Sequence, residues 1–214
     1  MKTLRIDFVS DVVCPWCAIG LASLEQALQR LQGEVDADIH FQPFELNPQL
    51  AAEGEGIGEH LQRKYGMSEG QLDENQERLR ARGAELGVVF DFNARSRIWN
   101  TFDAHRLLHW AGLEGGQRAL KHALLRAYFS EGRNVSDRAT LVAIIVDAGL
   151  DAARAQAILG SDEYADEVRT AEQFFLRNGI NGVPAVIIEQ KHLISGGQPV
   201  EVFERALREI AAGR

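Results

Sequence analysis

The chain has 214 residues, of which 45% are hydrophobic and 25% charged, and its formal net charge is −8. This is ordinary globular composition, sufficient for one elaborated domain or a small two-part architecture. No lysine/arginine block stands against the acidic balance, so nucleic acid is not an expected partner.

Leu4, Ile6 and Phe8 alternate with Arg5 and Asp7, and Val9 follows, a strand pattern that begins almost at the first residue. Charges interrupt this opening. It holds neither the apolar run nor the small-residue cleavage site of a signal peptide, and no stretch approaches the ~18 apolar residues of a membrane helix. A membrane partner is therefore not expected, and the cytoplasm is the expected location. Beyond Ser10-Asp11-Val12-Val13, Ile19, Leu21, Leu24, Ala27, Leu28 and Leu31 recur at helical spacing as far as Gly33. Pro15 sits early in that run, where a missing N–H costs little. Residues 35–44 alternate again as a second strand, and Pro43 and Pro48 make its far end an edge or an exit.

Gly54-Glu55-Gly56-Ile57-Gly58 marks a boundary, after which the pattern is helical. Ser68 with Gln71 forms a capping-box signal and Gly87 a stop. Asn100 caps a helix through Trp110, residues 116–131 form another, Ser136 caps a run to Gly149, residues 151–159 form a short helix, and Ser161 caps residues 162–178. Then Pro184-Ala185-Val186-Ile187-Ile188 and His192-Leu193-Ile194-Ser195 read as strands joined by a tight turn, and Pro199 opens a closing helix to Ala212. The order is β-α-β, a block of helices, then α-β-β-α. Without the block, it is the element order of a minimal thioredoxin fold. The expected architecture is therefore α/β, a thioredoxin-like fold with a large all-helical insertion. Residues 1–52 and 161–214 would form its two halves and residues 53–160 the insertion, in a loop that accepts added chain at modest entropic cost.

Cys14-Pro15-Trp16-Cys17 follows a strand and opens a helix, and it contains both cysteines of the chain. Unpaired N–H groups and the macrodipole at a helix start favour an anion, so a Cys14 thiolate is expected there, below the free-thiol value of ~8.5. Three residues on is nearly one turn, which brings Cys17 under Cys14. Cys14 would then attack a substrate disulfide and Cys17 would resolve the mixed disulfide. Pro15 fixes the first turn, and Trp16 offers substrate an apolar face. A structural zinc site takes four ligands, usually from two such pairs. No second pair exists, and the one histidine pair at suitable spacing, His105 and His109, lies in an amphipathic helix, so no metal is expected. Gly182-Val183-Pro184-Ala185-Val186 is the second mark, a proline at the head of a strand.

Ser-Asp-Val-Val-Cys-Pro-Trp-Cys at 10–17, Phe-Glu-Leu-Asn-Pro at 44–48 and Gly-Ile-Asn-Gly-Val-Pro at 179–184 resemble the DsbA-like thioredoxin superfamily, and most of all its FrnE-like branch of predicted disulfide isomerases, associated with polyketide biosynthesis genes. Asn-Thr-Phe-Asp-Ala-His-Arg at 100–106, Ala-Tyr-Phe-Ser-Glu-Gly at 127–132 and Ser-Gly-Gly-Gln-Pro at 195–199 also match. The resemblance spans nearly the whole chain. It implies a Cys14 nucleophile, a Cys17 resolver and a cis bond at Pro184 facing the cysteines, with the exposed backbone of Val183 pairing with an extended substrate segment. Ala18 departs from the aromatic residue often found at its position.

The resemblance also brings the helix of Asn100 and His105 near the active site, which makes both candidate substrate contacts. Against that, Asn100 is a natural N-cap, a role worth ~1 kcal/mol. Asp7, before the motif, is a candidate proton acceptor for Cys17, although an exposed or edge carboxylate is the commoner role. Phe41, Phe44, Trp99 and Trp110 read as packing. The expected activity is a thiol–disulfide oxidoreductase of reductase or isomerase type. It would act on a disulfide- or thiol-containing protein or small molecule with no bound cofactor, glutathione being the candidate co-substrate. Two alternatives remain. A glutathione-dependent isomerase or kappa-type transferase on a small aromatic or polyketide-like molecule should survive Cys17→Ser. A holdase chaperone with regulatory cysteines should survive loss of both.

Overall fold

In the computed structural model, which describes residues 2–213, the chain opens on β1 (Lys2–Ser10), enters α1 (Pro15–Arg30) and returns as β2 (Val35–Pro43). There follow β3 (Glu55–Gly56), α2 (Ile57–Tyr65), α3 (Glu69–Leu86), β4 (Arg97–Ile98), α4 (Phe102–Leu113), α5 (Gln117–Phe129), α6 (Arg138–Asp147) and α7 (Ala152–Leu159). The chain closes with α8 (Ala165–Arg177), β5 (Ala185–Ile188), β6 (His192–Ser195) and α9 (Val200–Ala211). The four-stranded sheet has the order β2-β1-β5-β6. β1 runs parallel to β2 and antiparallel to β5, and β5 is antiparallel to β6. This is a mixed α/β thioredoxin-like fold with a substantial helical insertion.

Central position explains β1. Leu4, Ile6 and Phe8 are fully buried in the cluster that also holds α1 and α9 residues, whereas Val9 joins a second cluster with Phe175 and Ile180 at the end of α8. Thr3 and Arg5 near the start of β1 stay exposed, but where both faces are covered towards its end even polar positions are buried. Asp7 is therefore buried, which corrects the expectation of an exposed or edge carboxylate. β2 is an outer strand, as Pro43 suggested, and α5 covers its open edge. The Gln117 side chain accepts from the Phe41 N–H at 2.9 Å and donates to the Phe41 carbonyl at 3.0 Å, doing what a neighbouring strand would do. The main cluster continues from Phe8 and Leu24 into Leu107, Leu124 and Ile144, so the helices of the insertion share one core with the sheet.

Helix ends follow their caps. Ser68 and Gln71 form the reciprocal capping box, and Gly87 ends α3 in the left-handed conformation. Three expected starts move inward. Asp137, rather than Ser136, caps α6 by accepting from the Thr140 N–H at 2.8 Å, because its carboxylate outcompetes a hydroxyl that instead donates to Ala52. α8 begins at Ala165 because Tyr164 turns left-handed at φ 63° and the Ser161 carbonyl is held by Arg106. α4 begins at Phe102, two residues after Asn100. The boundary at Gly54–Gly58 also hides a two-residue strand. Glu55 and Gly56 pair with Ile98 and Arg97, a ladder too short to leave an alternation in the sequence.

Candidate active site

β1 delivers the chain to the site. After Ser10 the backbone turns through Asp11-Val12-Val13, and Cys14 becomes the N-cap of α1 with extended backbone (φ −89°, ψ 113°). Its carbonyl accepts from the Cys17 N–H at 3.0 Å and the Ala18 N–H at 3.3 Å, so the helix forms as soon as Pro15 has set its first turn. Both cysteines are free thiols. Cys17 is wholly buried, Cys14 is 4% exposed, and Trp16 lies open at 37%. Opposite them the Val183–Pro184 peptide bond is cis, and the Cys14 Sγ lies 3.8 Å from the Val183 carbonyl oxygen. The Gly196 N–H donates to the Pro184 carbonyl at 2.8 Å, binding this loop to the turn after β6. Two glycines let the three segments meet. A Cβ on Gly20 would stand 3.0 Å from Pro184 Cγ, and one on Gly197 would stand 2.8 Å from the Trp16 carbonyl oxygen.

Beneath the motif lies a buried polar group. Burial pushes the Cys17 thiol well above its usual range, and the adjoining Cys14 sulfur adds to this. Lys121 on α5 and the Asp11 backbone N–H offset part of the rise. Burial alone would raise the Asp11 carboxyl, but neighbouring His105, the Leu46 N–H at 2.8 Å and the Thr101 hydroxyl hold it below its ordinary range. Asp11 Oδ1 and His105 Nε2 are 3.4 Å apart without hydrogen-bond alignment, so the contact between these two buried groups is one of proximity and not a formed hydrogen bond. A cleft of about 510 Å³ between β2 and the α4–α5 pair reaches His105 and Lys121 from outside. The arrangement is a buried dithiol with one sulfur facing the Val183–Pro184 loop, one held deeper in the interior, and ionisable groups behind it.

Residues 5–208 match the model of the DSBA-like thioredoxin domain. The chain belongs to that family. It is similar to a probable DsbA oxidoreductase of Streptomyces coelicolor, at 37% identity and a TM-score of 0.89 over 99% of this chain and 91% of that one. It is also similar in sequence to the uncharacterized protein YwbO of Bacillus subtilis, 27% identical over 208 residues and 97% of each chain. The cytosolic disulfide reductase DsbM of Pseudomonas aeruginosa, in a structure with GSH, shares the fold at 18% identity and a TM-score of 0.65, over 98% of this chain and all of that one.

In this DSBA-like domain Cys14, Pro15, Trp16, Cys17, Val183 and Pro184 come together at one end of the sheet. The other two candidates lie elsewhere. Asn100 accepts from the Phe102 N–H at 2.9 Å and donates to the Leu50 carbonyl at 3.0 Å, which engages both ends of its amide in local structure. His105 is buried behind Asp11. Asp7 bonds to Arg5 at 2.8 Å and to Gln42 at 2.7 Å, in a groove along α8 and not beside the sulfurs. Asp11 and Lys121 were not singled out in the sequence. Asp11 reads as a turn residue, but Lys121 carries a signal: it falls on the helical stripe of Leu124, Leu125 and Tyr128, where a charge is out of place. Among the described residues, no three histidine, cysteine, aspartate or glutamate side chains are grouped to hold a metal ion, and no helix is long and apolar enough to cross a membrane.

Proposed function

We propose that the protein is a dithiol–disulfide oxidoreductase of reductase or isomerase type, within the FrnE-like branch, with Cys14 as nucleophile and Cys17 as resolving thiol. The observation that carries this reading is the placement of Cys14 Sγ against the Val183 carbonyl ahead of Pro184, while Cys17 is sealed behind it. Cys14 attacks a substrate disulfide and the first substrate sulfur leaves as a thiol. The Cys17 thiolate then attacks Cys14, the second substrate sulfur departs, and a Cys14–Cys17 disulfide remains. The substrate disulfide has been reduced and the dithiol oxidised. Val183 and Pro184 hold the substrate backbone by strand-like pairing, and Pro15 and Trp16 offer it an apolar contact. Glutathione, present in the structure of the similarly folded DsbM, is the co-substrate proposed to return the disulfide to the dithiol. The cytoplasm is the compartment proposed, in keeping with a chain whose only two cysteines are those of the motif.

Trapping tests this. In cell extract, a Cys17→Ser variant should accumulate disulfide-linked adducts at Cys14 that reductant releases, while its steady-state reduction of insulin falls to background. A Cys17→Ser variant that turns over with glutathione as fast as wild type would favour the glutathione-dependent isomerase or transferase. Protection of unfolded clients that survives loss of both cysteines would favour a holdase.

A further inference from the structure

The cleft of about 510 Å³ between β2 and the α4–α5 pair lies apart from the dithiol opening: among the described residues, none of Cys14, Trp16, Val183 and Pro184 lines it. Its volume is within the range of about 300–1,000 Å³ usual for small-molecule sites. Lys121 lines it and is 1% exposed, and among the described residues its ammonium has neither a hydrogen bond nor a carboxylate within ion-pair distance. The contact it does make is with the Phe41 ring, whose centre lies 5.8 Å from Nζ. His105, 2% exposed, also lines the cleft, and its Nε2 makes no hydrogen bond. Other polar groups of the wall are already engaged. His40 is bonded to Asp38 at 2.8 Å, Arg118 to Glu25 at 2.8 Å, and Gln117 to the Phe41 backbone and the Leu108 carbonyl. Asp11 stands beyond ion-pair distance of Lys121 and accepts from the Leu46 N–H at 2.8 Å. An ammonium taken out of water without a bonded counter-ion is costly, and a methionine would fill the same space without that cost.

We propose that this cleft binds a small organic monocarboxylate, its carboxylate on Lys121 at the inner end and its apolar body against Phe41, Ile39 and Leu108. The ligand supplies the counter-charge that the fold withholds, through a charge-assisted hydrogen bond in a site largely closed to water. The class of ligand follows from the lining. One unpaired cation matches one negative charge, whereas a phosphate dianion would need further free donors that Arg118 and Gln117, already bonded, do not offer. Phe41 and Leu108 are buried and Ile39 half-buried, and all three line the cleft, so the body that follows the carboxylate is apolar. His105 Nε2 offers a second polar contact at the same end. The site does not depend on the dithiol reading, since no residue of the Cys14–Pro184 opening takes part in it.

Amide NMR titration of the reduced full chain with benzoate tests this, with benzamide as the uncharged probe of the same shape. Benzoate should shift the backbone amides of Phe41, His105 and Lys121 along a saturating curve with a midpoint of about 10 mM or tighter. Benzamide should bind at least about tenfold more weakly, because it cannot pair the ammonium. In Lys121→Met, benzoate should fall to the level of benzamide. The urea midpoint of that variant should equal or exceed that of wild type, because an unpaired buried charge has gone. Shifts that never saturate would overturn the proposal, since they describe a cleft filled by water alone. Equal binding of benzoate and benzamide, or wild-type benzoate affinity in Lys121→Met, would overturn it too. So would benzoate shifts confined to Trp16 and Val183, which would place the probe at the dithiol opening. If Lys121→Met does not fold, Lys121→Gln is read by the same criteria, and if neither folds the comparison of the two probes on wild type decides.

Discussion

The glycine at 197 puts the packing of the site to a direct test. It carries no left-handed backbone angle, so alanine can adopt its conformation, and any cost must come from contact. The added Cβ would lie 2.8 Å from the Trp16 carbonyl oxygen, 3.4 Å from Trp16 Cε3 and 3.5 Å from the Gly20 nitrogen. Two of these atoms are backbone in the first turns of α1, which the buried residues Ile19, Leu21 and Leu24 fix in the core, so the loop after β6 has to retreat. Overpacking of this kind costs about 1–3 kcal/mol. For a domain of this length that corresponds to a Tm lower by about 2–12 °C. Because the Gly196 N–H holds the Pro184 carbonyl, retreat of the loop also draws Val183 away from Cys14. Gly197→Ala should therefore lower Tm, shift Trp16 emission and slow the reaction of Cys14 with a disulfide probe. Gly182→Ala is the control. Its Cβ meets nothing within 4 Å, so its effect should stay within about 0.5 kcal/mol. Gly20→Ala should fall between them, since a mid-helix alanine gains about 0.5–1 kcal/mol against a tight 3.0 Å approach to Pro184. A Gly197→Ala protein with wild-type Tm, emission and thiol reactivity would show that the three segments are not packed as described.

Two further predictions concern stability. Cys17 is raised in the folded, reduced protein, so above the free-thiol pKa of ~8.5 the unfolded chain has lost a proton that the folded chain keeps. Stability should then fall as pH rises from there towards the folded value, by up to ~1.4 kcal/mol per unit. Urea midpoints of reduced wild type and Cys17→Ala at about pH 7 and pH 9.5 measure this, and equal slopes would refute it. Arg106 is buried and donates to the carbonyls of Glu163 at 2.9 Å and Ile158 at 2.6 Å and to Asp103 at 2.7 Å. A lysine cannot reproduce that fork, so Arg106→Lys should cost more than about 2 kcal/mol in chemical denaturation. A loss under about 0.5 kcal/mol would count against the geometry of that turn.

The parts of the site that were legible in the sequence are those whose chemistry is local. The strand-to-helix placement of Cys14-Pro15-Trp16-Cys17 follows from alternation in residues 4–9 and apolar spacing in residues 19–31, and the structure contains both elements. The Val183–Pro184 bond came from the resemblance, since spacing alone does not separate cis from trans. Asp7 was misplaced for a physical reason. Alternation says which face a residue takes but not whether a second layer covers that face, and α8 arrives from more than 150 positions along the chain. Asp11 and Lys121 were hidden in the same way. Asp11 becomes a buried carboxylate only when Thr101 and His105 are laid against it by α4 and the residue before it. Lys121 becomes a buried cation only when α5 lies against β2, a contact tied by Gln117.

That dependence gives the insertion a role beyond covering the sheet. A strand-helix-strand unit can present two cysteines at a helix start without it, because the N-cap geometry of Cys14 and the cis bond opposite belong to the two outer segments of the chain. The groups that decide the charge around the inner sulfur come from both sources. Asp11 belongs to the loop after β1, whereas Lys121 belongs to α5, and His105 on α4 acts on Asp11. The outer sulfur is thus framed by elements of the thioredoxin-like part, and the inner one by helices that the simpler fold lacks. Changes in α4 and α5 should therefore act on resolution more than on the first attack. Selection within such an insertion would then tune how long a mixed disulfide persists without moving the residues that form it.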